Sequence, residues 1–222
     1  MAIFDEELLR LKETVLKMGS MVENALRDSI KALVDRDNRL ARDTIERDHL
    51  INTLDSEIDE ECIKLIALMQ PKGSDLRFIT TAMKITTDLE RMGDMAVNIA
   101  ERALELNEEP ILKPYIDIPQ MAGIAQAMVK ESLEAFVKED VQLAWKVMND
   151  DEKVDHLTEQ VFRELLTYMS EDLKTISRAT RLLFISKYLE RLADHAVNIA
   201  ELVIFLVDGK IIRHIKYPVS SV

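Results

Sequence analysis

The sequence predicts an all-α protein made of two tandem antiparallel three-helix bundles, and three observations predict it. Glycine and proline are scarce, with five of each in 222 residues. Apolar residues recur every three to four positions almost throughout, which is the period of an amphipathic helix, while period-2 alternation is rare. A thirteen-residue phrase also occurs twice, 100 residues apart: Leu89–Glu101 reads LERMGDMAVNIAE and Leu189–Glu201 reads LERLADHAVNIAE. Ten of its thirteen positions are identical, the exceptions being Met92/Leu192, Gly93/Ala193 and Met95/His195. A fixed-period repeat sets the architecture, so one unit of roughly 100 residues is used twice.

The breaks in periodicity place the elements. A first helix runs from Asp5 to Val34 and stops at Asp35-Arg36-Asp37-Asn38, a turn that offers an N-cap. A second runs from Arg39 to Met69 and stops at Gln70-Pro71-Lys72-Gly73. Ser74 is the expected cap of the third, with Asp75 in its first turn, where a negative charge suits the helix dipole. The third helix continues to Asn107. Pro110, Pro114 and Pro119 then mark a linker, because proline cannot continue a helix. The plan repeats with helices over Gln120–Lys138, Val141–Met169 and Leu173–Val207, broken at Glu139-Asp140 and closed by Asp208-Gly209. Residues 1–108 thus form the first bundle and 109–119 the linker. Residues 120–222 form the second bundle and its tail; Lys210–Val222 is basic and apolar and receives no assignment. Helices of about 30 residues span about 45 Å at 1.5 Å per residue. Joined by short turns, three of them must run up, down and up.

Composition narrows the function classes. The net charge is −12, from 41 acidic and 29 basic residues, which argues against nucleic acid as a partner, since phosphate backbones are bound by basic surface. Cys62 is the only cysteine, so there is no internal disulfide and a reducing cytoplasm is the expected compartment. The acidic N-terminus does not read as a signal peptide. No apolar run approaches the length of about 18 residues that spans a bilayer, so direct membrane insertion is not expected.

The repeated phrase carries the candidate chemistry. At about 100° per residue, Glu90, Asp94, Asn98 and Glu101 share one side of their helix, and Met92, Met95, Ala96 and Ile99 take the other. Glu190, Asp194, Asn198 and Glu201 do the same against Leu192, Ala196 and Ile199. Like charges at i, i+4 cost a helix about 0.2–0.5 kcal/mol, and Arg91 and Arg191 offer only partial relief. Something outside the helix must balance the row. A hard metal ion fits, because Mg²⁺, Ca²⁺, Mn²⁺ and iron favour carboxylate oxygens; a basic partner surface is the other option. Asp48, Asp55 and Asp59 on the second helix, and Asp151, Asp155 and Glu159 on the fifth, are further acids within reach of the argument.

Other motifs are weaker. Glu46 and His49 have the ExxH spacing of di-iron bundle enzymes, but those need two such pairs and the sequence has one. His156 and His195 each follow an acid and read as surface or boundary residues before they read as ligands. There is no phosphate-cradling glycine loop, no CxxC pair and no nucleophile elbow. The expectation is a protein that is not an enzyme, with a carboxylate-bridged metal-dependent bundle enzyme as the alternative.

Gln70-Pro71, Asp75-Leu76-Arg77, both copies of the phrase and the closing Val203–His214 run (VIFLVDGKIIRH) resemble the PhoU family in order across nearly the whole chain. The resemblance implies two three-helix bundles related by a pseudo-twofold axis. It implies a cytoplasmic, dimeric accessory protein of the high-affinity phosphate transporter that represses the phosphate-starvation response when phosphate is plentiful. The implied contacts are the transporter's ATPase subunit and a membrane-bound sensor histidine kinase. It also implies metal ions, whether iron, manganese, zinc or magnesium, at Glu90 and Asp94 and at Glu190 and Asp194, with Asn98 and Asn198 in support. Met95 stands where the second copy has His195, which sets the first site apart if that histidine is a ligand.

Overall fold

The structure is a computed structural model that describes residues 2–212, with side chains from residue 4. It contains six long helices: α1 (Ala2–Val34), α2 (Asn38–Met69), α3 (Ser74–Asn107), α4 (Asp117–Lys138), α5 (Val141–Glu171) and α6 (Ile176–Asp208). A 3₁₀ turn over Leu173–Thr175 leads into α6. The all-α expectation and the tandem repeat of three helices both hold.

Breadth of the apolar face decides where each helix sits. The outer helices bury one narrow stripe: Ile51, Leu54, Ile58, Cys62 and Leu65 on α2, and Val147, Val154, Val161 and Leu165 on α5. α3 and α6 are buried on most of their circumference. Accordingly α3 and α6 lie at the centre and pack on each other, while α2 touches only α1 and α3, and α5 only α4, α6 and the 3₁₀ turn. α1 and α4 join the halves on a second line of contact. A Cβ at Gly19 would overlap the end of the Leu133 side chain, so a larger residue at this crossing of α1 and α4 would force Leu133 to shift. The two halves share one continuous apolar core.

Helix ends are set by local chemistry, and the repeat extends to them. Asp37 accepts hydrogen bonds from the backbone N–H groups of Arg39 and Leu40, and Asp140 from those of Gln142 and Leu143. Gly209, at φ +70°, closes α6 as expected. Other helix ends shift by one to three residues, and three starts differ from expectation in their chemistry. Ser74 is the first helical residue and not the cap; Gly73, at φ +59°, occupies the cap position without a side-chain bond. α4 begins at Asp117 and takes Pro119 into its first turn, where the missing N–H has no intrahelical acceptor in any case. The last expected helix begins as a 3₁₀ turn, capped by Asp172 through the Lys174 N–H.

The connection between halves is pinned. Lys113 is buried, donates to Asp117 Oδ2 at 2.9 Å and pairs with Glu164 of α5; Gln160 Nε2 reaches Asp117 Oδ1 at 3.2 Å. Arg181 of α6 binds Glu105 in the last turn of α3 and Glu109 just beyond it, and Arg178 reaches the Pro110 carbonyl at 3.0 Å. α3 and α6 therefore run antiparallel, and the acid motif of each faces the outer helix of its own half.

Candidate functional site

The motif helices divide as their period requires. Met92, Met95, Ala96 and Ile99, and Leu192, Ala196 and Ile199, are all buried. Glu90 and Asp94 emerge on the α2 side of α3, and Glu190 and Asp194 on the α5 side of α6. There each pair meets acids of the outer helix. Asp48 feels the charge of Asp94, and Glu90 feels Asp94, Asp55 and Asp48. Asp151 feels Asp155, Asp194 and Glu190. The structure thus gathers Asp48, Asp55, Glu90 and Asp94 in one half and Asp151, Asp155, Glu190 and Asp194 in the other. Glu159 stays outside the second group, exposed and paired with Arg163. Asp59 lies beside Asp55, and its charge opposes ionisation of Asp55.

The two clusters are not copies. Matching the caps Asp37 and Asp140 puts Asp48 opposite Asp151, but sets Asn52 opposite Asp155 and Thr158 opposite Asp55. α5 supplies its acids one turn apart, whereas α2 supplies them two turns apart with an amide between. Asn52 Nδ2 donates to Asp48 Oδ2 at 2.9 Å. Gly93 lets α2 close on this site: a Cβ there would sit 3.2 Å from Ile51 Cδ1 and 3.3 Å from Asp48 Oδ1. Arg91 lies 3.5 Å from Glu90 and 3.6 Å from Asp94. In the second half the nearby cation is Lys187, which donates to Glu190. The register of the caps was the sequence signal for these outer-helix acids, since it puts Asp48 and Asp151 at equivalent positions.

Electrostatics mark both clusters as strained. Loss of solvation, reinforced by neighbouring carboxylates, holds Asp48, Asp55, Glu90, Asp155 and Asp194 above their ordinary values. Asp151 is pushed up to about 7, first by burial and then by Asp155, Asp194 and Glu190. Asp48 Oδ1, Asp55 Oδ1 and Asp151 Oδ1 are buried without a hydrogen-bond partner, a costly state for a carboxylate oxygen. The folded chain therefore holds protons at pH values where the unfolded chain has released them. For Asp151 that stability is full below about pH 4 and is lost as pH rises through about 7, and the other raised carboxyls act in the same direction. Thermal unfolding of chelator-treated protein should show the melting temperature falling between pH 5 and pH 8. The fall should be shallower in Asp151→Asn, and an unchanged slope in that variant would remove Asp151 as a cause.

The remaining expected residues fall elsewhere. Asn98 Nδ2 donates to the Asp94 backbone carbonyl at 2.7 Å, and so steadies the helix instead of the carboxylate. Asn198 Nδ2 reaches Asp88 Oδ1 of α3 at 3.2 Å, and His195 Nδ1 donates to the same oxygen at 2.7 Å. Both belong to a clasp between the halves, so the Met95/His195 difference does not distinguish the acid clusters. The His49 ring donates to the Glu46 backbone carbonyl at 2.6 Å, and the pair makes no ExxH site. Hard oxygen donors, orphaned carboxylate oxygens and unrelieved negative charge suit a hard cation or a basic surface. As the side chains stand, no three His, Cys, Asp or Glu groups among the described residues converge as a finished coordination sphere; ligation would need rotation about side-chain bonds. No helix among the described residues is long and apolar enough to cross a membrane.

Comparison with known proteins adds independent findings. A family model described as the PhoU domain matches residues 15–103 and again 118–203. A relative from Aquifex aeolicus, named a phosphate-specific transport system accessory protein PhoU homolog, is 46% identical over 209 residues, covering 94% of this chain and 95% of that protein. One of the same name from Pseudomonas aeruginosa is 43% identical, covering 96% and 88%. The crystal structure of PhoU from Pseudomonas aeruginosa superposes with a TM-score of 0.90 at 42% identity, covering 93% of this chain and all of that one. That of the phosphate transport system regulatory protein PhoU from Streptococcus pneumoniae gives 0.88 at 33% identity, covering 94% and 98%.

Proposed function

The chain belongs to the PhoU family, and from that premise we propose that it is a regulator of phosphate uptake which acts by docking and not by turnover. Its partners in this reading are the ATPase subunit of the phosphate transporter and the sensor histidine kinase of the phosphate-starvation response, which it restrains. It works in the cytoplasm as a homodimer. The observation that carries the reading is the pair of acid clusters, one on each half, where Asp48, Asp55, Glu90 and Asp94 face one another and Asp151, Asp155, Glu190 and Asp194 do the same.

These eight residues are the ones that would hold iron, manganese, zinc or magnesium. A bound cation supplies the positive charge that the clusters lack. The chain's own part follows from its geometry. With a cation bound, Asp151 would lose the proton that burial favours on it, and Glu190 and Glu90 would have a counter-charge besides Lys187 and Arg91. The charge of each face, which a partner would read, would change accordingly. Asn98 and Asn198 support it from the backbone of α3 and from the clasp to Asp88.

Elemental analysis after dialysis tests this on wild type and the Asp94→Ala/Asp194→Ala variant. Retained metal in the first and a loss of most of it in the second is the expected result. Absence of iron, manganese, zinc and magnesium from both would turn the clusters into a docking surface for basic partner patches. Binding of both proteins to the transporter ATPase and to the kinase would then decide it.

A further inference from the structure

The seam between α5 and α6 continues past the second acid cluster, and its chemistry changes there. At about 100° per residue, Phe162, Leu166 and Met169 of α5 share an arc of about 60° with Asp151 and Asp155. On α6, Leu183 and Ile176 share an arc of about 40° with Glu190 and Asp194. Leu183 and Met169 are half-buried and pack on the core, so they form a floor. Phe162 is 49% exposed, Leu166 45% and Ile176 43%, so they form an open apolar rim. The two helices are joined by a short turn and run antiparallel. Both walls of the seam therefore change from carboxylate to apolar in the same direction, toward that turn. From Asp151 to Met169 the seam measures about 27 Å of helix.

The first half does not repeat this surface. Matching the caps Asp37 and Asp140 sets Asp59 opposite Phe162, so a carboxylate interrupts the apolar run at its centre. In the second half the run is continuous, and such a patch on a protein surface marks an interaction site. Charge selects the occupant. Asp151, Asp155, Glu190 and Asp194 repel one another across the near end of the seam, and Lys187 is the cation held there, by Glu190. An anionic lipid surface would add repulsion. A twofold pairing with a second copy would bring the same acids to the same surface. A helix that carries cations at one end and an apolar stripe along the other matches both ends of the seam at once.

We propose that the α5/α6 seam is a docking site for an amphipathic helix of a partner protein, whose lysines or arginines meet Asp155 and Asp194 and whose apolar side chains seat between Phe162, Leu166 and Ile176. The proposal rests on the reading of this chain as a docking regulator, and names the chemistry of the segment it receives.

The probe is a fluorescein-labelled synthetic helix of about 18 residues, the length that spans the seam, with lysines confined to one end and leucines at helical spacing toward the other. A second peptide has the same composition with lysines and leucines interleaved along its length. Anisotropy titrations use the full chain in chelator. The polarised peptide should saturate and bind about tenfold or more tighter than the interleaved one. Phe162→Asp, which gives the seam the residue found in the first half, should weaken it by about tenfold or more, as loss of an apolar anchor does. Leu166→Gln is an independent second variant, and Ile63→Gln, at the position on α2 equivalent to Leu166, should leave binding unchanged. Circular dichroism checks that each variant keeps its helical content. Equal affinities for the two peptides, or equal affinities in wild type, Phe162→Asp and Leu166→Gln, would overturn the proposal. So would two results without peptide. A dimer that Phe162→Asp splits in sedimentation equilibrium would make a second copy the occupant. Cosedimentation of wild type but not Phe162→Asp with phosphatidylglycerol/phosphatidylethanolamine vesicles would make it a lipid surface. Failure of the seam leaves the ATPase and kinase binding of the previous section to be read from the acid clusters, and failure of those partners to bind leaves the peptide titration unchanged, so the two readings fail separately.

Discussion

Ile99→Ala is expected to cost about 2–5 kcal/mol of stability, whereas Asp94→Ala, five residues earlier on the same helix, changes it by less than about 1 kcal/mol. Ile99 is fully buried in α3, the helix that packs on α1, α2 and α6 together. Removing its side chain leaves a cavity in the packed core, which the surroundings fill only partly. Asp94 is partly exposed, and its charge raises the energy of Asp48 and Glu90. Its removal relieves a repulsion and leaves no new buried group unpaired. Urea denaturation midpoints at neutral pH, in chelator, compare the two. Small and similar shifts from both would mean that the two sides of α3 are not divided between core and site as described.

Lys113→Met is expected to cost about 3 kcal/mol, the lower end of what breaking a buried ion pair costs, because Glu164 is 39% exposed and recovers some solvation. Burial alone would pull the Lys113 pKa down, but Glu164 and Asp117 outweigh it and hold the amine charged. Without the amine, Asp117 is left in the first turn of α4 at 9% exposure with only Gln160 as partner. The double variant Lys113→Met/Asp117→Asn removes the stranded charge and should regain a large part of the loss. A single variant within about 1 kcal/mol of wild type would show that the linker is not pinned by this contact. The effect bears on function, since Glu164 and Gln160 belong to α5, the helix that presents Asp151 and Asp155.

Much of this was legible in the residues. The period of three to four defined the helices and separated Met92, Met95, Ala96 and Ile99 from Glu90 and Asp94. The same acids at Glu190 and Asp194 declared the second copy, and Asp37, Asp140 and Gly209 ended helices as their chemistry requires. Errors arose where several local solutions compete. Ser74 is a good cap by type, but the chain turns at Gly73 instead. Pro119 is a helix breaker by type, yet costs little in a first turn.

The sequence by itself determined the helical class, the twofold use of one unit and the inward and outward faces of α3 and α6, because these follow from spacing along a single helix. Only the tertiary structure decided which outer-helix acids complete each cluster. It brought in Asp48 with Asp55 and Asp151 with Asp155, and left Glu159 outside. It also turned Asn198 and His195 away to Asp88 of the opposite half. The physical reason is that these relations join residues on different helices. Crossing geometry and helix register fix them, and so does the loss of solvent that lifts Asp151 to about 7. None of these is encoded in the periodicity of any one segment.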